Sequence, residues 1–484
     1  MRFTLLRIIG ILPHAYAHHL VPSEQSPFSY LPPPISEAEQ TSLKPHHVRE
    51  QVPLNLAPSV YDTVTDPTKR AEYALSTLQI WYNAGTGLWD TAGWWNSANI
   101  ITMLGDFAKA EPDLKVLQNL ATRVFANTVM QAPSSNPQPG VEDQTLTRKV
   151  VDIGNVTFEL YNQTGTGYMK YLDVSTHEPF TRFPTDWRKS DSSYIDITTL
   201  PIYASSKEGS QVTLAATPNP ADWLDGFYDD DLWWALGWIN AYDVTQNSQY
   251  LTLAEGIFAA VTKAWPTRCG NGGIFWSWKK DYMNAIANEL FLSTAAHLAN
   301  RVNAERKKVY VEWAQRTLSW FLESGMINER GTINDGLTES CENNGQTTWS
   351  YNQGVILGGL VELNKASPNE TYLELASLIA KAAITELSDA NGVIHDVCEP
   401  GCGGDGSQFK GIFMRNLQIL HAAAPDDDYV GAIQANANSI WLNDRDEAMG
   451  NAFSINWAGP FVSPANASTH SSAMDALVAA ITVA

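Results

Sequence analysis

The sequence predicts an all-α domain: a toroid of helical hairpins, interrupted by one irregular insertion with a few β-strands. Three observations carry this. Apolar residues recur at helical spacing through most of residues 65–482. The helical segments come in pairs joined by short turns, as antiparallel helical hairpins do. Between about 131 and 220 that period is lost, and Pro, Gly, Ser and Thr take over, as in a surface insertion with a few strands. About eleven or twelve helices in successive hairpins imply a closed ring whose loops at one end form a cleft. A plain α-solenoid is the alternative, and the lack of a fixed-period repeat disfavours it.

In chain order, residues 1–17 are expected to be a secretory signal. Arg2 and Arg7 give a basic start, Ile8 to Leu12 is apolar, and Ala15-Tyr16-Ala17 is a small-x-small cleavage site. Residues 18–64 form a Pro-rich arm, with Pro32-Pro33-Pro34 and the pairs His18-His19 and His46-His47. The catalytic domain is expected over 65–484. Its first helix starts at Asp66-Pro67, with Ala71, Ala74, Leu75, Leu78 and Tyr82 as the inner stripe. Trp89 to Asn99 opens a second helix ending near Ala108, and Pro112 to Met130 is a third. After the insertion, the predicted pairs are 230–246 with 248–265, 281–301 with 303–325, 350–365 with 369–387, and 408–423 with 427–442. A last helix is expected near 470–482.

With 31 basic against 52 acidic residues the net charge is −21. That argues against nucleic acid or an anionic membrane as partner. No later run of apolar residues is long enough to span a membrane. Sequons at Asn155, Asn162, Asn369 and Asn466 fit a secreted, extracellular or cell-wall glycoprotein. The four cysteines allow three pairings, of which Cys398–Cys402 with Cys269–Cys341 is favoured. No His pair accompanies them, so no zinc site is expected, and neither metal nor cofactor is called for. A monomer is expected. No G-x-S-x-G or H-E-x-x-H motif occurs.

The candidate chemistry lies in Tyr228-Asp229-Asp230-Asp231-Leu232-Trp233-Trp234-Ala235-Leu236-Gly237-Trp238. Leu232, Leu236 and Ile239 form a helical stripe, so the acids sit at a helix N-terminus, where the macrodipole stabilises negative charge. Acids before an apolar run most often only cap helices. Adjacent carboxylates cannot all ionise freely, however, and one ionised acid beside one protonated acid is what glycoside hydrolysis requires. A diphosphate–metal motif fails because Trp233 and Trp234 stand where its second acid is needed. The 17 tryptophans and 18 tyrosines would suit a carbohydrate cleft, although aromatics more often fill cores.

This stretch resembles the Asp-Asp-x-x-Trp-Trp signature of glycoside hydrolase family 76, the α-1,6-mannanases. Four further stretches agree in order: Trp94–Asn99; the Cys269–Trp276 turn leading into Tyr282–Asn288; Trp349–Gly354; and Phe409–Phe413. The resemblance covers about residues 65–480 apart from the insertion. It implies an (α/α)6 barrel and retaining cleavage of α-1,6-mannosidic bonds in mannan or mannose-containing glycans, with Asp229 as nucleophile and Asp230 as general acid/base. It gives Asp231 no chemical role. Trp95, Asn99, Asn284, Asn288, Trp349, Tyr351 and Asn352 lie in the matched motifs as candidate sugar-binding residues; helix capping is the competing reading for the amides. Lys410 and Arg415 read as helix-end or cleft-rim charges. One departure stands out. The family has a short connection before the acid pair, where this chain has about ninety residues.

Two other functions compete. Cell-wall transglycosylases similar to this family act on mannose-containing anchor glycans, but carry Asn before the acid pair, where this chain has Tyr228. A non-catalytic mannan-binding protein should have lost one acid. For a retaining mechanism the carboxyl groups should lie about 5–5.5 Å apart. That geometry predicts a regular helix beginning at or after Asp229, with both acids facing an open, tryptophan-lined cleft.

Overall fold

The computed structural model describes residues 60–137, 146–153, 156–163, 169–173 and 218–484. The expected signal, most of the Pro-rich arm and Asn155 lie outside them. Thirteen α-helices occur among the described residues: α1 (Pro67–Leu78), α2 (Trp94–Ala110), α3 (Lys115–Gln131), α4 (Tyr228–Thr245), α5 (Ser248–Val261), α6 (Ala285–Ala299), α7 (Ala304–Glu323), α8 (Ser350–Ala366), α9 (Glu370–Leu387), the single turn α10 (Gly403–Gly406), α11 (Phe409–Ala423), α12 (Asp427–Asn443) and α13 (Ala467–Thr482). The expected spans hold to within a few residues at each end.

Six helices form a closed inner ring. α2 packs on α4, α4 on α6, α6 on α8, α8 on α11, α11 on α13, and α13 back on α2. The others lie outside: α1 against α13, α3 beside α2 and α4, α5 on α4, α7 on α6, α9 on α8, and α12 between α11 and α13. This is the (α/α)6 barrel. Burial explains the division. On α6 every residue from Ala285 to Ala296 is buried, and on α13 every residue from Ala467 to Ala480. Outer α7 buries only Ala314, Thr317, Leu318, Trp320 and Phe321, one face of an amphipathic helix.

Side chains that satisfy first-turn N–H groups set many of the starts. Asp66 caps α1, Asn247 caps α5, Asn303 caps α7, Asn369 caps α9 and Asp426 caps α12. Asn466 and Thr469 make a capping box at α13. Two motif glycines let inner helices touch. A Cβ on Gly354 would lie 2.6 Å from Cα of Phe413, and one on Gly411 2.5 Å from the Ser472 carbonyl.

Cys269 is bonded to Cys341, and Cys398 to Cys402. Within the insertion, β1 (Leu146–Ile153), β2 (Val156–Gln163) and β3 (Met169–Asp173) form an antiparallel sheet in that order. Asn162 falls in β2, paired with Thr147 and Met169. Most of the rest of the insertion, including the run Tyr194–Tyr203 with its many β-forming residues, lies outside the described residues. Asn369 is exposed, whereas Asn466 is half-buried with its side-chain oxygen engaged by Thr469.

Of the helix-end or cleft-rim reading, Lys410 keeps the helix end, as the second residue of α11, but both charges are buried and neither stands at a rim. Lys410 is 2 % exposed, ion-paired to Glu399 at 2.7 Å and set 4.5 Å over the Trp457 ring. Arg415 is 5 % exposed and reaches Asp475 at 3.2 Å. Both charges tie inner helices to their surroundings. None of the described helices is long and apolar enough to cross a membrane.

Candidate active site

Hairpin alternation makes the inner helices run in one direction, so their N-termini gather at one end of the ring. α4 begins there with Phe227 as N-cap in extended conformation (φ −95°, ψ 111°). The Tyr228 N–H donates to the Trp276 carbonyl at 2.9 Å. The regular helix therefore starts at Tyr228, one residue before the earliest start expected. The neighbouring 276–282 hairpin supplies the acceptor that makes this possible.

The three acids divide their work. Asp231 is 2 % exposed and turns back: its Oδ1 accepts the Asp225 N–H at 2.9 Å. Asp225, equally buried, accepts the Phe227 N–H at 2.9 Å. This pair shapes the loop into α4, whose N-cap, Phe227, makes no side-chain cap hydrogen bond. Asp229 and Asp230 are only partly buried. Asp229 Oδ2 accepts the Trp276 indole N–H at 2.9 Å, while Oδ1 has no protein partner.

Their proton affinities are both raised. Burial pushes Asp229 up to about 7; the Trp276 hydrogen bond offsets part of this, and the Asp225 charge adds to it. Asp230 is pushed well up, first by burial, then by the charges of Asp225 and Asp229, with Asp405 contributing further. The last proton of the pair therefore belongs on Asp230.

Aromatic and acidic side chains from the other inner helices complete this end. Trp95, at the start of α2, donates its indole N–H to Asp405 at 2.8 Å and stacks on Trp233 at 5.8 Å. Tyr351 stacks on Phe409 at 3.8 Å, and Trp349 meets the same ring edge-on at 5.5 Å. Burial holds the Tyr351 phenol well above its usual range, as do the charges of Asp335, Asp229, Glu289 and Asp405. Asp335 accepts a hydrogen bond from the Tyr282 hydroxyl, which in turn accepts from Asn344 at 3.0 Å. Glu289 is fully buried with both oxygens unpartnered, and burial, with the Asp335 charge, raises its proton affinity well above the usual carboxylate range.

Of the expected sugar-binding residues, Trp95, Trp349 and Tyr351 meet around Phe409 and Asp405. The amides do not join them. Asn99 is fully buried: it donates to the Trp95 carbonyl at 3.2 Å and accepts from Arg415 at 2.5 Å. Asn288, also fully buried, pins Ile274 through both backbone groups, at 2.8 and 3.0 Å. Asn284 is 5 % exposed and caps α6 through the Ala287 N–H. Asn352 is fully buried without a partner. For Asn99, Asn284 and Asn288, helix-end and loop-pinning geometry replaces the sugar-binding expectation.

The sequence reading missed Asp225, Trp276, Asp335 and Asp405 as site residues. Trp276 closes the Cys269–Trp276 stretch that carries the resemblance, which was its one signal, whereas Asp405 follows Gly403-Gly404 with no motif to mark it. No group of three or more His, Cys, Asp or Glu side chains among the described residues is arranged to hold a metal ion.

Comparison with known proteins agrees with this arrangement. A mannan endo-1,6-α-mannosidase DCW1 of Candida albicans is 28 % identical over 224 residues, 42 % of this chain and 48 % of that protein. A putative mannan endo-1,6-α-mannosidase of Schizosaccharomyces pombe is 29 % identical over 216 residues, 41 % of this chain and 48 % of that one. The matched region spans about half the length of these curated relatives. Among solved structures, the α-1,6-mannanase of Salegentibacter has the same fold. Its inactive double Asp-to-Asn variant, in complex with α-1,6-mannotriose, superposes with a TM-score of 0.60 at 17 % identity, covering 87 % of this chain and 100 % of that one. Dfg5 of Chaetomium thermophilum, in complex with glucosamine, gives a TM-score of 0.59 at 15 % identity over 86 % and 90 %. Residues 184–483 match glycosyl hydrolase family 76, and the chain belongs to that family.

Proposed function

We propose that the protein is a retaining glycoside hydrolase that cleaves α-1,6-mannosidic bonds in cell-wall or glycoprotein mannan. The observation that carries this is the adjacent pair Asp229–Asp230, partly exposed at the start of α4, with the proton favoured on Asp230. The names of the relatives support the substrate. Secretion to the cell surface, a monomeric state and independence of any cofactor belong to the same reading; the charge of −21 favours a neutral polymer over nucleic acid as partner.

In this mechanism the Asp229 carboxylate attacks the anomeric carbon while Asp230 donates its proton to the departing glycosidic oxygen. The bond to the leaving sugar breaks as the mannosyl–Asp229 ester forms. Asp230, now ionised, takes a proton from water, whose oxygen displaces Asp229 and restores both acids. The Trp276 indole fixes the orientation of Asp229, and Asp225 and Asp405 hold the proton on Asp230 until transfer.

Proton NMR of the first products from linear α-1,6-mannan tests the reading. The α anomer is expected first. An initial β anomer would remove Asp229 from the nucleophile role, and an unchanged polymer would reject the substrate. Added mannosides that appear in longer products would instead show that a sugar hydroxyl resolves the ester, as in a transglycosylase.

A further inference from the structure

Among the described residues the large aromatic rings are buried or partly covered, with one exception. Trp278, at 39 % exposure, is the only exposed aromatic ring among the described residues other than histidine. A single exposed apolar side chain is ordinary on a protein surface. The way this one is held is not. Trp278 lies in a tight turn closed by the Lys280 N–H on the Ser277 carbonyl at 3.0 Å. Its own N–H donates to the Gly226 carbonyl at 2.9 Å, and Ser277, fully buried, bridges Phe227. The hairpin is closed at its base by the Trp276 N–H on the Tyr282 carbonyl at 2.8 Å. Two residues before Trp278, the Trp276 indole holds Asp229. The turn is thus fastened to the loop that leads into the acids and to Asp229 itself, and it holds one large flat ring in solvent.

We propose that Trp278 is a distal sugar platform, on which a mannosyl unit several positions from the scissile bond stacks. The inference rests on the mannanase reading above and adds a chain-length preference to it. An indole face takes up the C–H face of a pyranose by apolar contact and asks for no particular hydroxyl. That suits a repeating chain sliding past the cleft. Because the turn is already ordered, little conformational freedom is lost when the sugar docks. A chain too short to span from the acids to the turn gains nothing from it.

The test compares Trp278→Ala and Trp278→Phe with the parent on linear α-1,6-mannan and on α-1,6-mannotriose. The expected result is that Trp278→Ala lowers kcat/KM on the polymer about tenfold more than on the trisaccharide, mainly through KM, and that Trp278→Phe recovers most of the difference. Equal loss on both substrates, or no loss on either, overturns the platform while leaving the mannanase reading intact. If the parent cleaves neither substrate, the mannanase reading falls and binding decides the platform. Linear α-1,6-mannan should quench tryptophan fluorescence in the Asp229→Asn protein, and about tenfold more polymer should be needed once Trp278 is also Ala. Identical titrations would overturn it.

Discussion

The two ends of the barrel hold acids in opposite ways. At the N-terminal end of the inner helices, Asp225, Asp229, Asp230, Asp335, Asp405 and Glu289 influence one another, and among the described residues no Lys or Arg is ion-paired to Asp229, Asp230, Asp335, Asp405 or Glu289. At the C-terminal end Asp106, Asp243 and Glu362 each have a cation. Arg301 bonds Asp243 at 2.6 Å and Glu362 at 2.9 Å, Lys365 reaches Glu362 at 2.9 Å, and Lys109 reaches Asp106 at 2.8 Å. These groups line a cavity of about 250 Å³ between α2, α4, α6, α8 and α11. Burial opposes ionisation at both ends. At the far end His297, Arg301 and Lys365 outweigh it and hold Glu362 well below the usual carboxylate range. At the near end nothing outweighs it, and Asp229 rises to about 7. Helix dipoles add to the contrast, because C-terminal ends favour cations and N-terminal ends favour anions. One end is built to keep acids charged, the other to let them exchange protons.

The comparison breaks most visibly at the acid pair. Asp229→Asn and Asp230→Asn should each slow turnover by roughly 100- to 10,000-fold or more without loss of fold. Cleavage of α-1,6-mannan, with circular dichroism as the folding control, checks this. Near-parental rates in either variant would end the assignment.

At the far end the same kind of change should strike stability. Arg301→Met leaves Asp243 without its cation and Glu362 with only Lys365. Breaking a buried pair on one side costs about 3 kcal/mol or more, because a charge is left uncompensated. Urea unfolding should show that loss, while kcat of the folded fraction stays close to the parent. A variant as stable as the parent would mean that the far-end pairs contribute nothing net.

The pH profile sharpens the contrast. Asp229 must be ionised to attack, so kcat/KM should rise with pH through an acid limb near 7, far above the 3.8 of an ordinary aspartate. Removing the Asp405 charge by Asp405→Asn should lower the Asp230 affinity and move the alkaline limb to lower pH, with about a tenfold loss of rate at the optimum. An unmoved alkaline limb would exclude Asp405 from this role.

The two ends were unequally legible in the sequence. Helix period and cap residues are local, so nearly every inner and outer helix, from Asp66-Pro67 to the last, was readable. The acid pair was readable because three adjacent acids before an aromatic helix are rare in a core pattern. Its environment was not. Asp405 reaches Trp95 across 310 residues and Arg415 reaches Asn99 across 316, and no spacing rule encodes such contacts. The amides failed for a related reason: Asn99 and Asn288 occupy motif positions, but burial commits their polar atoms to Arg415 and Ile274. At the far end Asp106–Lys109 and Glu362–Lys365 are local i,i+3 pairs, but Arg301 joins Asp243 and Glu362 across 58 and 61 residues, and no motif marks that junction.

A smaller effect links the two ends through stability. An acid whose affinity is raised by folding binds its proton more tightly in the native state than in the unfolded chain. Its contribution therefore favours the fold at low pH and is lost as pH climbs from the unfolded value of 3.8 towards about 7. Asp229→Asn removes that loss. The variant should be more stable than the parent at pH 7 by about 1 kcal/mol, and the advantage should shrink towards pH 4. Glu362→Gln at the far end must behave in the opposite sense. Glu362 is held below its ordinary range, so its contribution is present at neutral pH and lost on acidification. Glu362→Gln should cost most at pH 7 and least in acid. Paired unfolding curves at pH 4 and 7 check both slopes at once. Slopes of the same sign would mean that the two ends of the barrel do not treat their carboxylates differently.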